Sequence, residues 1–281
     1  MNKIIPLNPF NNVVASGLAI CDLNNLLGTT VEALNLTLGG TSFTKSMITL
    51  MQLKANGKII FESDGSKLDT GEQFKNYPAD AARLCMNFME RQGRTINAFQ
   101  AGAIDLSRES GITNLRLEVS TSGATAPTLV GVAELSPAAA IPGEEAIRFL
   151  LQRRHRSPFT VPAANVKVAL PIPHIDPAGG GSVFKRLFFF SQFLTSVQVV
   201  RSGIVEFDLT IADLAQIQKR AGRLPQTNLA VLDFILDNIM SGRLWDTRPG
   251  AQCTQAIVYG TFSATETITI ETEELIPLGM Y

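Results

Sequence analysis

Val205-Glu206-Phe207-Asp208-Leu209-Thr210-Ile211 alternates an apolar with a polar residue at every step. Successive side chains of an extended chain point to opposite faces, so this stretch acquires one apolar and one polar side only as a β-strand. The same period recurs at increasing distance from it. Leu115, Leu117 and Val119 alternate with Arg116 and Glu118, and Leu34, Leu36 and Leu38 alternate with Asn35 and Thr37. Further strands are expected at 47–53, 58–62, 128–135, 166–172, 183–190, 193–200, 254–262 and 265–271, separated by Gly, Asn, Asp and Pro. Many short strands with turn signals between them predict an all-β sandwich rather than alternating β and α units.

The two halves of the chain run in parallel. Strands at 31–38 and 47–53 and a Gly57-led strand Lys58-Ile59-Ile60-Phe61-Glu62 precede a polar segment ending at Tyr77. In the second half, strands at 183–190 and 193–200 and a Gly203-led strand Ile204-Val205-Glu206-Phe207-Asp208 precede a helical segment ending near Gly222. Each half then closes with two strands, 115–119 and 128–135 in one, 254–262 and 265–275 in the other. This self-similarity predicts two copies of one β-sandwich.

Three helices are expected to interrupt the strands. One follows Pro78, where Ala81, Leu84, Cys85 and Phe88 fall at helical spacing; another spans 211–221, with Gly222 as its stop. The third covers Pro142 to Arg156, acidic at Glu144 and Glu145, basic at Arg153, Arg154 and Arg156, as the helix dipole favours. The expected organisation is a first sandwich over residues 1–141, a helical linker over 142–158 and a second sandwich over 159–281.

Only 17% of residues are charged, against roughly 25% in an average globular protein, while 45% are hydrophobic. Lys and Arg number 24 against 25 Asp and Glu, which disfavours a basic nucleic-acid binder. No apolar run reaches the roughly 20 residues a membrane-spanning helix needs. So thin a charge coat suits a surface largely covered by neighbouring subunits. Cys21, Cys85 and Cys253 are widely spaced and odd in number, and are expected as reduced thiols of a protein matured in a cytosol; no secretory signal is read at the N-terminus.

Candidate chemistry is sparse. His155 and His174 are the two histidines, neither with a second His at i+2 or i+4, and both are read as structural or solvated. Gly179-Gly180-Gly181-Ser182 lacks phosphate-loop spacing and reads as a connector. The acidic run Glu62, Asp64, Asp69, Glu72 fails the calcium-loop pattern, with Asp64-Gly65 read as a turn. No cofactor is expected, although ligands for a divalent ion at a subunit contact would come from scattered positions that spacing does not reveal. The basic residues Arg153, Arg154 and Arg156 are the candidate electrostatic contact with lipid headgroups or a neighbouring subunit; their alternative, shared with Lys185 and Arg186, is a solvated element end.

The block Arg186-Leu187-Phe188-Phe189-Phe190-Ser191-Gln192-Phe193, with Gly203-Ile204-Val205-Glu206-Phe207-Asp208-Leu209 and Leu232-Asp233-Phe234-Ile235-Leu236-Asp237, resembles the second barrel of the small double jelly-roll major capsid proteins of tailless, membrane-containing bacteriophages. The corticovirus type is the nearest in pattern, with the tectivirus type related. Thr44-Lys45-Ser46-Met47-Ile48-Thr49 through Lys54-Ala55-Asn56-Gly57-Lys58 resembles the matching part of the first barrel. The resemblance implies two jelly rolls side by side, a homotrimer presenting a pseudo-hexagonal block, and a non-enzymatic role in an icosahedral shell over an internal membrane. It further implies neighbouring trimers and minor capsid or vertex proteins as partners, with assembly in the cytoplasm of a bacterial host. A tandem-sandwich carbohydrate-binding or adhesin module shares the fold class but would show exposed Trp and Tyr, scarce here; a cupin-like enzyme would need the missing histidine ligands.

Overall fold

The computed structural model describes residues 3–94, 101–137, 150–240 and 244–277. The chain divides into two compact units. The first comprises Met1–Glu72, Tyr77–Arg154 and Ile276–Tyr281; the second comprises Gln73–Asn76 and His155–Leu275.

The first unit contains β1 (Lys3–Pro6), β2 (Gly17–Asp22), β3 (Thr29–Ser42), β4 (Ile48–Ala55), β5 (Lys58–Ser63), most of helix α1 (Gly65–Phe74), β6 (Arg83–Asn87), the short β7 (Ile104–Asp105), β8 (Leu115–Thr121), β9 (Thr125–Pro137) and the start of β10 (Leu150–Thr160). One sheet has the order β1-β9-β3-β6 with β7 on β3, and the other contains β10-β5-β4-β8-β2. Setting β7 aside, the first sheet thus takes the first, eighth, third and sixth strands, and the second takes the second, seventh, fourth and fifth. That order is a jelly roll. Leu34, Leu36, Leu53, Phe61, Leu117 and Leu135 fill its core.

The second unit continues from His155 of β10 with β11 (Lys167–Leu170), β12 (Val183–Phe190), β13 (Leu194–Arg201), β14 (Ile204–Thr210), helix α2 (Ile211–Arg220), β15 (Leu229–Asp233), the short β16 (Trp245–Asp246), β17 (Ala256–Phe262) and β18 (Thr267–Pro277). Its sheets run β15-β12-β18-β10, with β16 on β12, and β11-β17-β13-β14. Strand for strand this repeats the first unit, down to the short strand added to the third. The phenylalanine run of β12 is buried on both faces, as a near-continuous apolar strand must be. Phe184, Leu187 and Phe189 join Val197, Val258 and Ile270 in the core, while Phe188 meets Phe74, Leu229 and Val231 on the opposite side.

The expected strands and the helix at 211–221 are present, and several expectations are corrected. Residues 83–87 form a strand, not a helix: Leu84 and Met86 are buried and pair opposite Leu36 and Leu34. Leu84 and Phe88 fit the helical spacing of Ala81, Leu84, Cys85 and Phe88 but also, with Met86, a period of two, and pairing with β3 supplies the backbone partners that decide between them. The expected helical linker over 142–158 is corrected from residue 150 onward, since Leu150–Thr160 is a strand whose Arg154 pairs parallel with Phe61. The remainder of that linker, 142–149, lies outside the described residues. Helix α1 was not expected. Its apolar face is reduced to Leu68 and Phe74, too little for a helical period to register. Asp64, read as part of a turn, starts this helix by accepting the backbone N–H of Lys67 at 2.8 Å. Gly179-Gly180-Gly181 forms a turn in which Gly179 and Gly180 are exposed with open space around them and only Gly181 is closely packed. Asp176 caps Pro177–Gly179, and a Cβ on Gly181, at φ +62°, would lie 2.4 Å from the Thr247 carbonyl oxygen.

Candidate functional site

The second unit presents an exposed apolar surface. Strand β14 closes one sheet and, among the described residues, pairs only with β13. Its Ile204, Val205 and Phe207 are 69%, 51% and 39% exposed. Alternation predicts that Val205 and Phe207 turn inward; Val205 nonetheless stays half exposed, while Phe207 sets its ring 6.2 Å from that of Phe234. Ile217 of α2 and Leu224 just beyond it add to the exposed apolar area. A bare sheet edge carrying apolar side chains is a surface made for a partner, because in a monomer it invites aggregation. Beside it lies a groove of about 760 Å³ lined by Arg201, Glu206, Phe207, Phe234 and Trp245 among others. Phe234 stacks on Trp245 at 5.2 Å between centroids, and the indole N–H donates to Glu206 Oε2 at 2.9 Å. Trp245 itself is buried, so it is a wall of the groove and not a platform for a sugar.

Behind this surface the second unit is held by charges in its interior. Lys75 Nζ contacts Glu273 Oε1 at 2.6 Å, Arg186 reaches Glu273 at 3.1 Å and Asp233 at 3.2 Å, and Arg223 Nε contacts Asp233 Oδ2 at 2.7 Å. This chain of ion pairs ties the 73–76 segment, β12, β18, β15 and the loop after α2. Sequence reading places Lys185 and Arg186 at a solvated strand end; both are fully buried. Charge type in a sequence does not tell burial, because a carboxylate supplied from a distant strand offsets the desolvation.

The candidate contact residues Arg153, Arg154 and Arg156 do not form a patch. In a strand, residues 153 and 156 point to opposite faces, whereas a helix would have gathered all three at one end. Arg154 is fully buried with its guanidinium 5.6 Å from the centre of the Phe61 ring; Arg153 and Arg156 are half-buried. The acidic run at 62–72 is likewise taken up internally: Asp69 meets Lys45 at 2.5 Å and Glu72 accepts from Asn87 at 2.6 Å.

The structure does bring together residues that spacing kept apart. His155, His174 and Glu274 converge, with His174 Nδ1 3.2 Å and His155 Nε2 3.7 Å from Glu274 Oε1. Their sequence separation hid them, and the only signal was that both histidines lie in one half of the chain.

Two jelly rolls of identical strand order in one chain define a double jelly-roll protein. Residues 4–136 match the family described as Viral coat protein P2 N-terminal domain, and residues 153–278 match Viral coat protein P2 C-terminal domain. The chain belongs to the viral coat protein P2 family: it is a coat protein, a structural part of the virion and not an enzyme.

Among solved structures, the major capsid protein P2 from Bacteriophage PM2 is similar, with 17% identity over 98% of this chain and 97% of that one and a TM-score of 0.79. The STIV major capsid protein has 12% identity, coverage of 99% and 97%, and a TM-score of 0.70. PBCV-1 VP54 has 10% identity, coverage of 98% and 93%, and a TM-score of 0.64. At such identities the likeness is one of fold. No curated protein sequence matches the chain.

Proposed function

We propose that three copies of this chain associate into a capsomer whose six barrels form a pseudo-hexagonal block, and that these blocks tile an icosahedral shell over an internal membrane. The observation that carries the reading is the exposed apolar edge of β14, in a chain that supplies the same jelly roll twice. Two similar barrels per chain let a three-fold ring approximate a hexagon, and closed cyclic assembly leaves no unsatisfied heterologous surface. Minor capsid or vertex proteins complete the shell, and assembly takes place in the cytoplasm of a bacterial host. Contact with lipid headgroups or a neighbouring subunit falls to Arg153 or Arg156, which lie on opposite faces of β10, with Arg154 excluded by its burial.

Native mass spectrometry of the purified protein tests the assembly. A species of about 90 kDa, three times the 30.4 kDa chain, is expected; a chain that remains monomeric at micromolar concentration overturns the proposal. Charge reversal at Arg153 and Arg156 is expected to reduce shell or vesicle association without unfolding, read by co-sedimentation and circular dichroism.

A further inference from the structure

We propose that His155, His174 and Glu274 form a binding site for a transition-metal dication of the zinc type, contained within the second unit of a single chain. Three elements converge to build it. His155 is carried by β10 and Glu274 by β18, while His174 occupies the turn after β11, between Pro173 and Ile175. The backbone at His174 is left-handed, with φ +57°. That conformation is uncommon for residues other than glycine, with histidine and asparagine among those that tolerate it best. It is held from both sides by Pro173 and by the Ile175 N–H, which donates to the Ile172 carbonyl.

The geometry is close to what a metal requires. The three ligand atoms lie within 4.8 Å of one another, and the imidazole centroids are 4.7 Å apart with their planes at 42°. Two ligands of a tetrahedral zinc, each about 2.0–2.2 Å from it, are roughly 3.3–3.5 Å apart. The 3.2 Å and 3.7 Å separations from each histidine to Glu274 Oε1 bracket that spacing.

The surroundings orient the carboxylate. Ser182 Oγ donates to Glu274 Oε2, which turns Oε1 toward both imidazoles. Ser182 is in turn fixed by Thr247, whose Oγ1 accepts the Ser182 N–H at 3.0 Å and donates to its carbonyl at 3.2 Å. Such outer-shell hydrogen bonding is how proteins aim metal ligands. Glu274 is fully buried whereas the His174 side chain is 41% exposed, so the site opens to solvent on one side and its fourth position is accessible to water or to a residue of another subunit. Two imidazoles and one carboxylate suit zinc and its neighbours in the first transition row; calcium and magnesium require oxygen ligands throughout. Bound there, the ion would cross-link β10, the turn and β18.

The test is isothermal titration of the full chain, stripped with a chelator and dialysed, with zinc chloride in a non-chelating buffer. Metal content is read in parallel by plasma mass spectrometry. One zinc per chain is expected, with His174→Asn, which keeps a residue suited to the left-handed turn, and His155→Gln each weakening binding by at least about tenfold. Circular dichroism identifies a variant that has lost its fold, and cobalt titrated into the native chain then serves as the second measurement, with a tetrahedral visible spectrum expected. No zinc uptake by the native chain overturns the proposal. So does zinc binding that folded His174→Asn and His155→Gln leave unchanged, or competition by calcium at equal concentration. In those cases the three residues are a buried carboxylate beside two imidazoles.

Discussion

Glu273 shows how far a single residue's role can depart from its type. A glutamate in an alternating strand is ordinarily the solvent-facing member, yet Glu273 is fully buried between Lys75 and Arg186. Removing one partner of a buried pair leaves its counterpart desolvated and uncompensated. Glu273→Gln keeps the shape and deletes the charge, and is expected to destabilise the protein by about 3–5 kcal/mol in urea unfolding. A loss below about 1 kcal/mol would show that the interior tolerates the two cations without it. Cys21 offers a second test. Burial, with a smaller contribution from the Asp22 charge, pushes its thiol up to about 11, and its Sγ donates to the Asn8 carbonyl. Near pH 8 about one molecule in a thousand then carries the reactive thiolate. Alkylation followed by peptide mapping should label half-buried Cys85 first and Cys21 far more slowly. Because the native thiol binds its proton more tightly than the unfolded one, any stability this supplies is complete below about pH 9 and is lost as pH rises through about 11.

At the scale of elements, strands were more legible than helices. Strands such as β12 and β13 announce themselves through period two and β-branched or aromatic residues, because one or both of their faces must be buried. Helix α1 announces nothing, since its place is secured by contacts and not by an apolar stripe. A Cβ on Gly65 would come within 2.3 Å of the Lys45 carbonyl oxygen, and Lys45 also pairs with Asp69. Gly65→Ala is therefore expected to cost about 1–3 kcal/mol through backbone displacement, seen as a lowered thermal midpoint. The edge strand β14 makes the opposite prediction. Ile204→Lys with Val205→Lys places charge on a surface already wet, at side chains 69% and 51% exposed, so the fold should hold, while self-association weakens by at least about tenfold. Sedimentation that is unchanged in the double variant would remove β14 from the interface. Acid at one end of 142–156 and base at the other favours a helix, but a strand position in β10 sets the Arg154 guanidinium over the Phe61 ring face, whose attraction offsets part of the cost of burying it.

Across the whole molecule, a low charge density and a repeated barrel point to the same manner of assembly. An interface made chiefly of apolar edges has little for salt to screen, since at about 1 M ionic strength the Debye length falls to roughly 3 Å. The oligomer is thus expected to keep its mass in high salt, measured by light scattering on a size-exclusion column. Dissociation there would assign the contact to ion pairs. The duplication itself was readable before any coordinates. Strands at 31–38, 47–53 and 58–62 correspond to those at 183–190, 193–200 and 204–208, and these are the third, fourth and fifth strands of each barrel.

The sequence by itself determined the all-β class, the two copies of one sandwich and the absence of any local catalytic motif, because periodicity and spacing are properties of neighbouring residues. Only the tertiary structure decided which charges are interior, which apolar strand is left bare, and that His155, His174 and Glu274 share one place. The jelly roll pairs its first strand with its last, which brings His155 to Glu274, and the separate 73–76 segment carries Lys75 to Glu273, 198 residues away. Contacts at that range leave no period for a sequence to show.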